Sequence, residues 1–220
     1  METGLRGKTA LITGGSSGIG RGIAAALAEE GVNLAIASRN PDLAAIAEVE
    51  ALGVKCVRIA ADVSQETEVE RMVAMWACRE ASRHMIARHS GGILIVGSTV
   101  RFFPSYRETA YRVSKMGLRM LMQNLAIELA PYGIRVNMVT PGHYRTRLTG
   151  GVSGPIEKKM LEIIPAHRFG EPVEVGRAAA FLLSDRLSGY TYGADVVIDG
   201  GLTLHPLPLY TQDEIEGFNA

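Results

Sequence analysis

The segment that most restricts this chain lies near its amino terminus. Thr9–Thr13 reads TALIT, a short apolar run with β character, and the turn Gly14-Gly15-Ser16-Ser17-Gly18-Ile19-Gly20 follows it at once. RGIAAALAEEG then carries an alanine-rich helical pattern that Gly31 stops. A strand that turns through glycines straight into a helix is the opening of a parallel α/β unit. Glycine lets the backbone turn tightly. The helix start adds free N–H groups and a positive dipole end, so an anion such as a pyrophosphate can be held there. Glycine spacing alone carries little in a chain with 25 glycines. The strand–turn–helix setting carries the reading.

The rest of the chain repeats the alternation. Apolar runs at 33–38 (NLAIAS), 55–60 (KCVRIA), 92–97 (GILIVG), 135–139 (RVNMV) and 195–199 (DVVID) read as strands. Helical patterns span about 41–52, about 64–89 with Ser64 and Thr67 as caps, about 106–130 and 172–184. A loop with one short helix is expected over 146–165, and an irregular tail from about 202 to 220. This predicts a Rossmann-like, doubly wound parallel α/β sheet covered on both faces, in a single domain over 1–220. The long helix at 106–130 holds Met116, Met120 and Met122 with Leu118, Leu121, Leu125 and Leu129. It is expected to be buried on more than one side.

Composition removes other classes. Lys plus Arg equals Asp plus Glu, 23 each, which argues against nucleic-acid or membrane-surface binding. A hydrophobic content of 47% excludes a disordered chain. No apolar run approaches the ~18 residues a spanning helix needs, and METGLRGKTALIT does not read as a secretory signal. Cys56 and Cys78 form no CxxC pattern, and His84, His89, His143, His167 and His205 show no ligand spacing. Reduced thiols, a cytoplasmic location and no metal are therefore expected.

Three residues suggest proton chemistry. Tyr111 and Lys115 stand four apart inside the long helical pattern, hence on one face. A phenol ordinarily titrates near ~10, and a neighbouring ammonium favours its ionised form. Ser98 falls at the carboxyl end of the strand GILIVG, where open α/β sheets bind ligands. After the second strand the chain carries Ser38-Arg39-Asn40 and no acidic residue. Arg39 can pair with a ribose 2′-phosphate, with the Ser16 hydroxyl added to the same group. This favours NADP(H) over NAD(H).

TGGSSGIG together with Ser98 and the YxxxK pair resembles the short-chain dehydrogenase/reductase family, over almost the whole chain from Gly7 to about Thr203. The resemblance implies an oxidoreductase that interconverts an alcohol and a carbonyl by hydride transfer. Tyr111 would be the general acid/base, Lys115 would hold the nicotinamide ribose, and Ser98 would bond the substrate oxygen. Cofactor contacts are implied for Gly14, Ser16, Ser17, Gly18, Ile19, Gly20, Arg39, Tyr111 and Lys115. Asp62-Val63 resembles the DV pair at the adenine ring. Arg135-Val136-Asn137, Pro141-Gly142, Thr146, RFGEP at 168–172 and Asp199-Gly200-Gly201 match further segments, with Thr146 at the carboxamide. Tyr144 stands where a branched aliphatic residue is usual. A small-molecule substrate and a homodimer or homotetramer packed through the long helix are also implied. Phe102 and Phe103 would border a partly apolar substrate.

One family segment has no counterpart. The strand ending in an NNAG-type motif, and most of the helix after it, are missing between about Met75 and Cys78. A βαβ unit takes ~30 residues or more. The fused helix keeps a legal crossover, so the strand carrying Ser98 is expected beside the first strand, displaced by about one strand spacing of ~4.8 Å. A catalytically impaired relative that acts as an oligomeric nucleotide-binding or interaction protein is the alternative reading.

Overall fold

The computed structural model describes residues 2–39, 42–60, 69–104, 106–146 and 154–204. The elements run β1 (Thr9–Thr13), α1 (Gly18–Glu29), β2 (Asn33–Ser38), α2 (Leu43–Glu50), β3 (Cys56–Ala60), α3 (Val69–Ile86) and β4 (Gly91–Val96). They continue with α4 (Thr109–Leu129), β5 (Ile134–Pro141), α5 (Pro155–Ile163), α6 (Pro172–Leu183), α7 (Asp185–Ser188) and β6 (Asp195–Ile198). The alternating α/β order matches the sequence reading. The cap residues Ser64 and Thr67, and the tail from 205 onward, lie outside the described residues.

All strand pairs are parallel, but they form two sheets, ordered β1-β2-β3 and β4-β5-β6. Among the described residues nothing pairs β1 with β4. The expectation that the Ser98 strand closes up beside β1 is therefore corrected. The helix layer supplies the physical reason. A Cβ on Gly22 of α1 would lie 2.3 Å from the Pro172 carbonyl, and one on Gly176 of α6 would lie 2.3 Å from the Gly22 oxygen. Backbone thus meets backbone where α1 crosses α6. Helix α6 in turn lies against β4: a Cβ on Gly92 would lie 3.2 Å from Leu183. Leu94 and Val96 pack on the same core cluster as Ile23, Leu27, Val175 and Leu182. Moving β4 toward β1 would require that close-packed layer to be rebuilt.

Coverage is also uneven. The second sheet is enclosed by that core and by a second cluster of Cys78, Ile95, Met122, Ala126, Leu129, Ile134, Val136 and Met138. Among the described residues, the first sheet is covered on the α1/α2 face only. On its other face Leu11 pairs with Ala35 and Ala35 with Val57, while Ala37 pairs with Ile59. Leu11, Val57 and Ile59 there are 55%, 60% and 40% exposed. The expected coverage on both faces thus holds for β4-β5-β6 and fails for β1-β2-β3. Within the single chain the long helix buries one face: Met122, Ala126 and Leu129 are buried, while Val113, Met116, Met120 and Ile127 are exposed.

Two outcomes follow. Gly176→Ala should lower the unfolding free energy by about 1–3 kcal/mol through overpacking, or prevent folding, as read by urea denaturation. Gly14 N–H donates to Ala37 and Gly97 N–H to Val139. Parallel ladders alternate, so the Ile12 and Ile95 amides face their partners while those of Leu11, Thr13, Leu94 and Val96 face the opening. The latter four should exchange at least about tenfold faster by NMR. Equal protection would mean that the opening is filled.

Candidate active site

The glycine turn has the expected shape. Gly14 and Gly18 adopt φ of +71° and +50°, and a Cβ on Gly20 would lie 2.2 Å from the Gly14 oxygen. The closed turn therefore needs glycine at both its entry and the helix start. Ser17 is the N-cap of α1 with extended backbone, and its side chain makes no capping bond. The helix-start amides are thus not taken up by a cap from Ser17, and no acidic side chain stands in the first turn. Ile19 and Gly20 continue that turn and are partly buried. Such a start is suited to an anion.

Ser16 is buried, and its hydroxyl donates to Ser38 Oγ at 3.1 Å, so it ties the turn to the end of β2. Arg39, the next residue, is exposed. Asp62 and Val63 lie outside the described residues.

The carboxyl half reaches the same turn. The Thr146 methyl would be 3.5 Å from a Cβ on Gly18, which brings the segment after β5 against the glycine loop. Pro141 ends β5, and Gly142 N–H donates to Ile198 at 3.0 Å. A Cβ on Gly142 would lie 2.7 Å from that of Asp199, so only glycine lets these two turns meet. Tyr144 does not face this space. It is buried in the core, with its hydroxyl donating to the Ile198 carbonyl at 2.9 Å and its ring against Gly170. Burial pushes its phenol up to about 12, with the Glu174 and Asp199 charges adding to the rise.

Arg135 and Asn137 support the scaffold. The Arg135 guanidinium bonds Asp185 Oδ1 at 2.9 and 3.0 Å and the Leu182 carbonyl at 2.6 Å. Asn137 donates to the Thr191 carbonyl and accepts from Ala194 N–H, joining β5 to the approach to β6.

Tyr111 and Lys115 share a face of α4, with Lys115 Nζ 5.5 Å from the phenol ring centroid. Tyr111 is partly exposed. Ser98 follows β4 and caps a 3₁₀ turn over Thr99–Phe102, where Val100 N–H donates to its Oγ at 3.4 Å. No hydrogen bond joins Ser98 to Tyr111 among the described residues. Phe102 is exposed, beneath the Arg101 guanidinium at 4.3 Å, and Phe103 is partly buried.

Two arginines that the motif reading passed over hold this turn. Arg101 is 3% exposed, pairs with Asp195, and donates to Thr140 Oγ1 at 2.9 Å. Arg112 donates to the carbonyls of Val100 and Phe103. Neither carries a sequence signal, because arginines on a turn and a helix ordinarily read as solvated. Among the described residues no three side chains converge as a metal site, and no helix is long and apolar enough to cross a membrane.

Family models agree with this layout. The short chain dehydrogenase model matches residues 8–75, and the Enoyl-(Acyl carrier protein) reductase model matches 74–203, well over half the chain. The chain belongs to the short-chain dehydrogenase/reductase family. It is 34% identical to the oxidoreductase UcpA of Salmonella typhimurium over 253 positions, covering 91% of this chain and 96% of the relative. Ninety-one per cent of 220 residues is about 200, so about 50 of those positions have no residue here. The two family models meet at 74–75, where the sequence pattern breaks.

Solved relatives superpose end to end. A putative gluconate dehydrogenase from Agrobacterium tumefaciens gives a TM-score of 0.86 at 27% identity, covering 94% of this chain and 100% of that one. The L-sorbose reductase of Gluconobacter frateurii, complexed with NADPH and L-sorbose, gives 0.83 at 28% identity with the same coverages. The chain thus superposes over nearly its whole length on solved members of this Rossmann-fold family.

The RFGEP segment yields a pH prediction. Arg168 bonds Glu174 at 2.7 and 2.8 Å, and Glu171 N–H donates to the same carboxylate, which holds Glu174 down to about 2. A depressed carboxylate stabilises the fold above its ordinary range, and that contribution fades as pH falls toward 2. Glu174→Gln should lower the urea midpoint at pH 7. The deficit should shrink steadily between about pH 4.5 and 3. A deficit independent of pH would assign it to packing.

Proposed function

We propose that this protein is an NADP(H)-dependent oxidoreductase that interconverts a small-molecule alcohol and carbonyl, with Ser98, Tyr111 and Lys115 at the reacting centre. The observation that carries the reading is the approach of the glycine turn and the segment ending at Thr146, where a Cβ on Gly18 would lie 3.5 Å from the Thr146 methyl. Tyr111 and Lys115 share one face of α4, as the family pattern requires. The turn fits a pyrophosphate, since Gly14 and Gly18 leave open space that side chains would fill, while Gly20 lets the turn close on the Gly14 carbonyl. Ser17, Gly18, Ile19 and Gly20 would hold the diphosphate, Arg39 the 2′-phosphate, Pro141, Gly142 and Thr146 the nicotinamide end, and Lys115 its ribose. Asp62 and Val63 are assigned to the adenine by resemblance only.

A bound NADPH supplies the hydride. The chain's own residues manage the oxygen. Ser98 Oγ donates a hydrogen bond to the carbonyl oxygen and stabilises the charge that develops there. Tyr111 Oη delivers a proton to that oxygen, or removes it in the reverse direction. Assembly as a dimer or tetramer through α4 is part of the proposal. The exposed Met116, Met120 and Ile127 support it. A cytoplasmic location is also proposed.

A second reading rests on the opening between β1 and β4. A chain without the strand that fills that place in its relatives would keep nucleotide binding while losing turnover. The two readings separate in one series. NADPH titrated into the full chain should enhance or shift its fluorescence with saturation, and Arg39→Ala should weaken that binding about tenfold, a ~1.4 kcal/mol loss, with NADH affinity unchanged. Tyr111→Phe should lower kcat for carbonyl reduction about 10²–10⁴-fold. Saturable NADPH binding with no reduction of any ketone or aldehyde would favour the second reading. No NADPH binding would overturn the first reading and leave the second only as an interaction protein.

A further inference from the structure

Ser98 stands at the end of a strand that is paired on one side only. Strand β4 bonds β5 from Gly91↔Ile134 to Val96↔Val139, and its other edge has no partner among the described residues. The turn after it, Thr99–Phe102, is held by side chains. Arg112 is the residue after Tyr111 on α4. One terminal nitrogen of its guanidinium donates to the carbonyls of both Val100 and Phe103, and the other bonds Glu108 Oε2 at 2.6 Å. Glu108 is the N-cap residue of the same helix. A single planar fork thus joins the start and end of the Ser98 turn to the first turn of the Tyr111 helix. Arg101 pins the same turn from beneath, through Thr140 and Asp195.

We propose that Arg112 is a positioning residue that fixes the Ser98 hydroxyl relative to the Tyr111 phenol. The inference rests on the reading that these two groups act on one carbonyl oxygen. In this chain the fork does what a neighbouring strand would otherwise share, since among the described residues no strand pairs with β4 on the side toward β1. Arginine suits the task because its rigid, always-charged fork can serve two carbonyls and a carboxylate together. Lysine could bond one or two of the three, and methionine none.

Arg112→Met and Arg112→Lys test the assignment in the full chain. A misplacement of ~1 Å can cost ~100-fold in rate. Arg112→Met should therefore lose about 10- to 100-fold in kcat, with NADPH affinity kept within about twofold. Arg112→Lys should recover part of that loss. Hydrogen–deuterium exchange should quicken about tenfold over residues 97–104 in Arg112→Met, less in Arg112→Lys, with β5 and α6 unchanged. Unchanged exchange over 97–104 would overturn the proposal. So would a kcat within threefold of the parent, or a loss spread equally over kcat, NADPH affinity and the exchange of β5 and α6. If Arg112→Met does not fold, the Arg112→Lys exchange and kcat decide by the same criteria. A parent chain without turnover would defeat the functional reading, while exchange over 97–104 would still decide whether Arg112 holds the turn.

Discussion

The fold depends on one contact, the backbone crossing of α1 and α6 at Gly22 and Gly176. Each half of the molecule has a three-stranded parallel sheet, and no strand pairing joins the halves among the described residues. What joins them is the α1/α6 layer, with Ile12, Ile36, Val139 and Val175 in one shared core cluster. The glycines allow this because a Cβ at either position would fall about 2.3 Å from backbone atoms. Close-packed layers transmit position. The crossing sets how far apart β1 and β4 stand, and therefore where the glycine turn lies relative to Ser98 and Tyr111.

That arrangement explains how a chain about 50 aligned positions shorter than its relatives keeps their layout. Among the described residues, strand pairing between the halves and the cover on one face of the first sheet are lacking where the missing segment would lie. The helix layer that spaces the halves is intact. The consequence appears as exposed apolar residues, with Leu11, Val57 and Ile59 open on a sheet face. The residues of the candidate site lie along the carboxyl ends of strands in both halves, so the site depends on spacing that the sheet itself no longer enforces. Side-chain ties take up part of that work, with Ser16 bonded to Ser38 on one side of the opening and Arg112 bonded to the Ser98 turn on the other.

Much of this was legible in the residues. The strand–glycine–helix opening, the alternation of elements, the Tyr111/Lys115 face and the break near Met75 all follow from local pattern. Local pattern is silent where a residue's partner lies far away in sequence. The Ser16 hydroxyl bonds Ser38, 22 residues on. Tyr144 points into the core, where the Ile198 carbonyl 54 residues away accepts from its hydroxyl. Arg101 is enclosed by its pairing with Asp195, 94 residues away.

The sequence by itself determined the fold class, the family and the identity of the candidate chemical groups, because periodicity, glycine spacing and the YxxxK register are local properties. It also exposed the missing segment, since a broken pattern is visible in one dimension. Only the tertiary structure decided what the chain does about that loss. Whether two sheets merge or stay apart depends on the packing of helices more than 140 residues apart in the chain, Gly18–Glu29 and Pro172–Leu183. A backbone contact between two glycines favours the open arrangement, and no local pattern could have announced it.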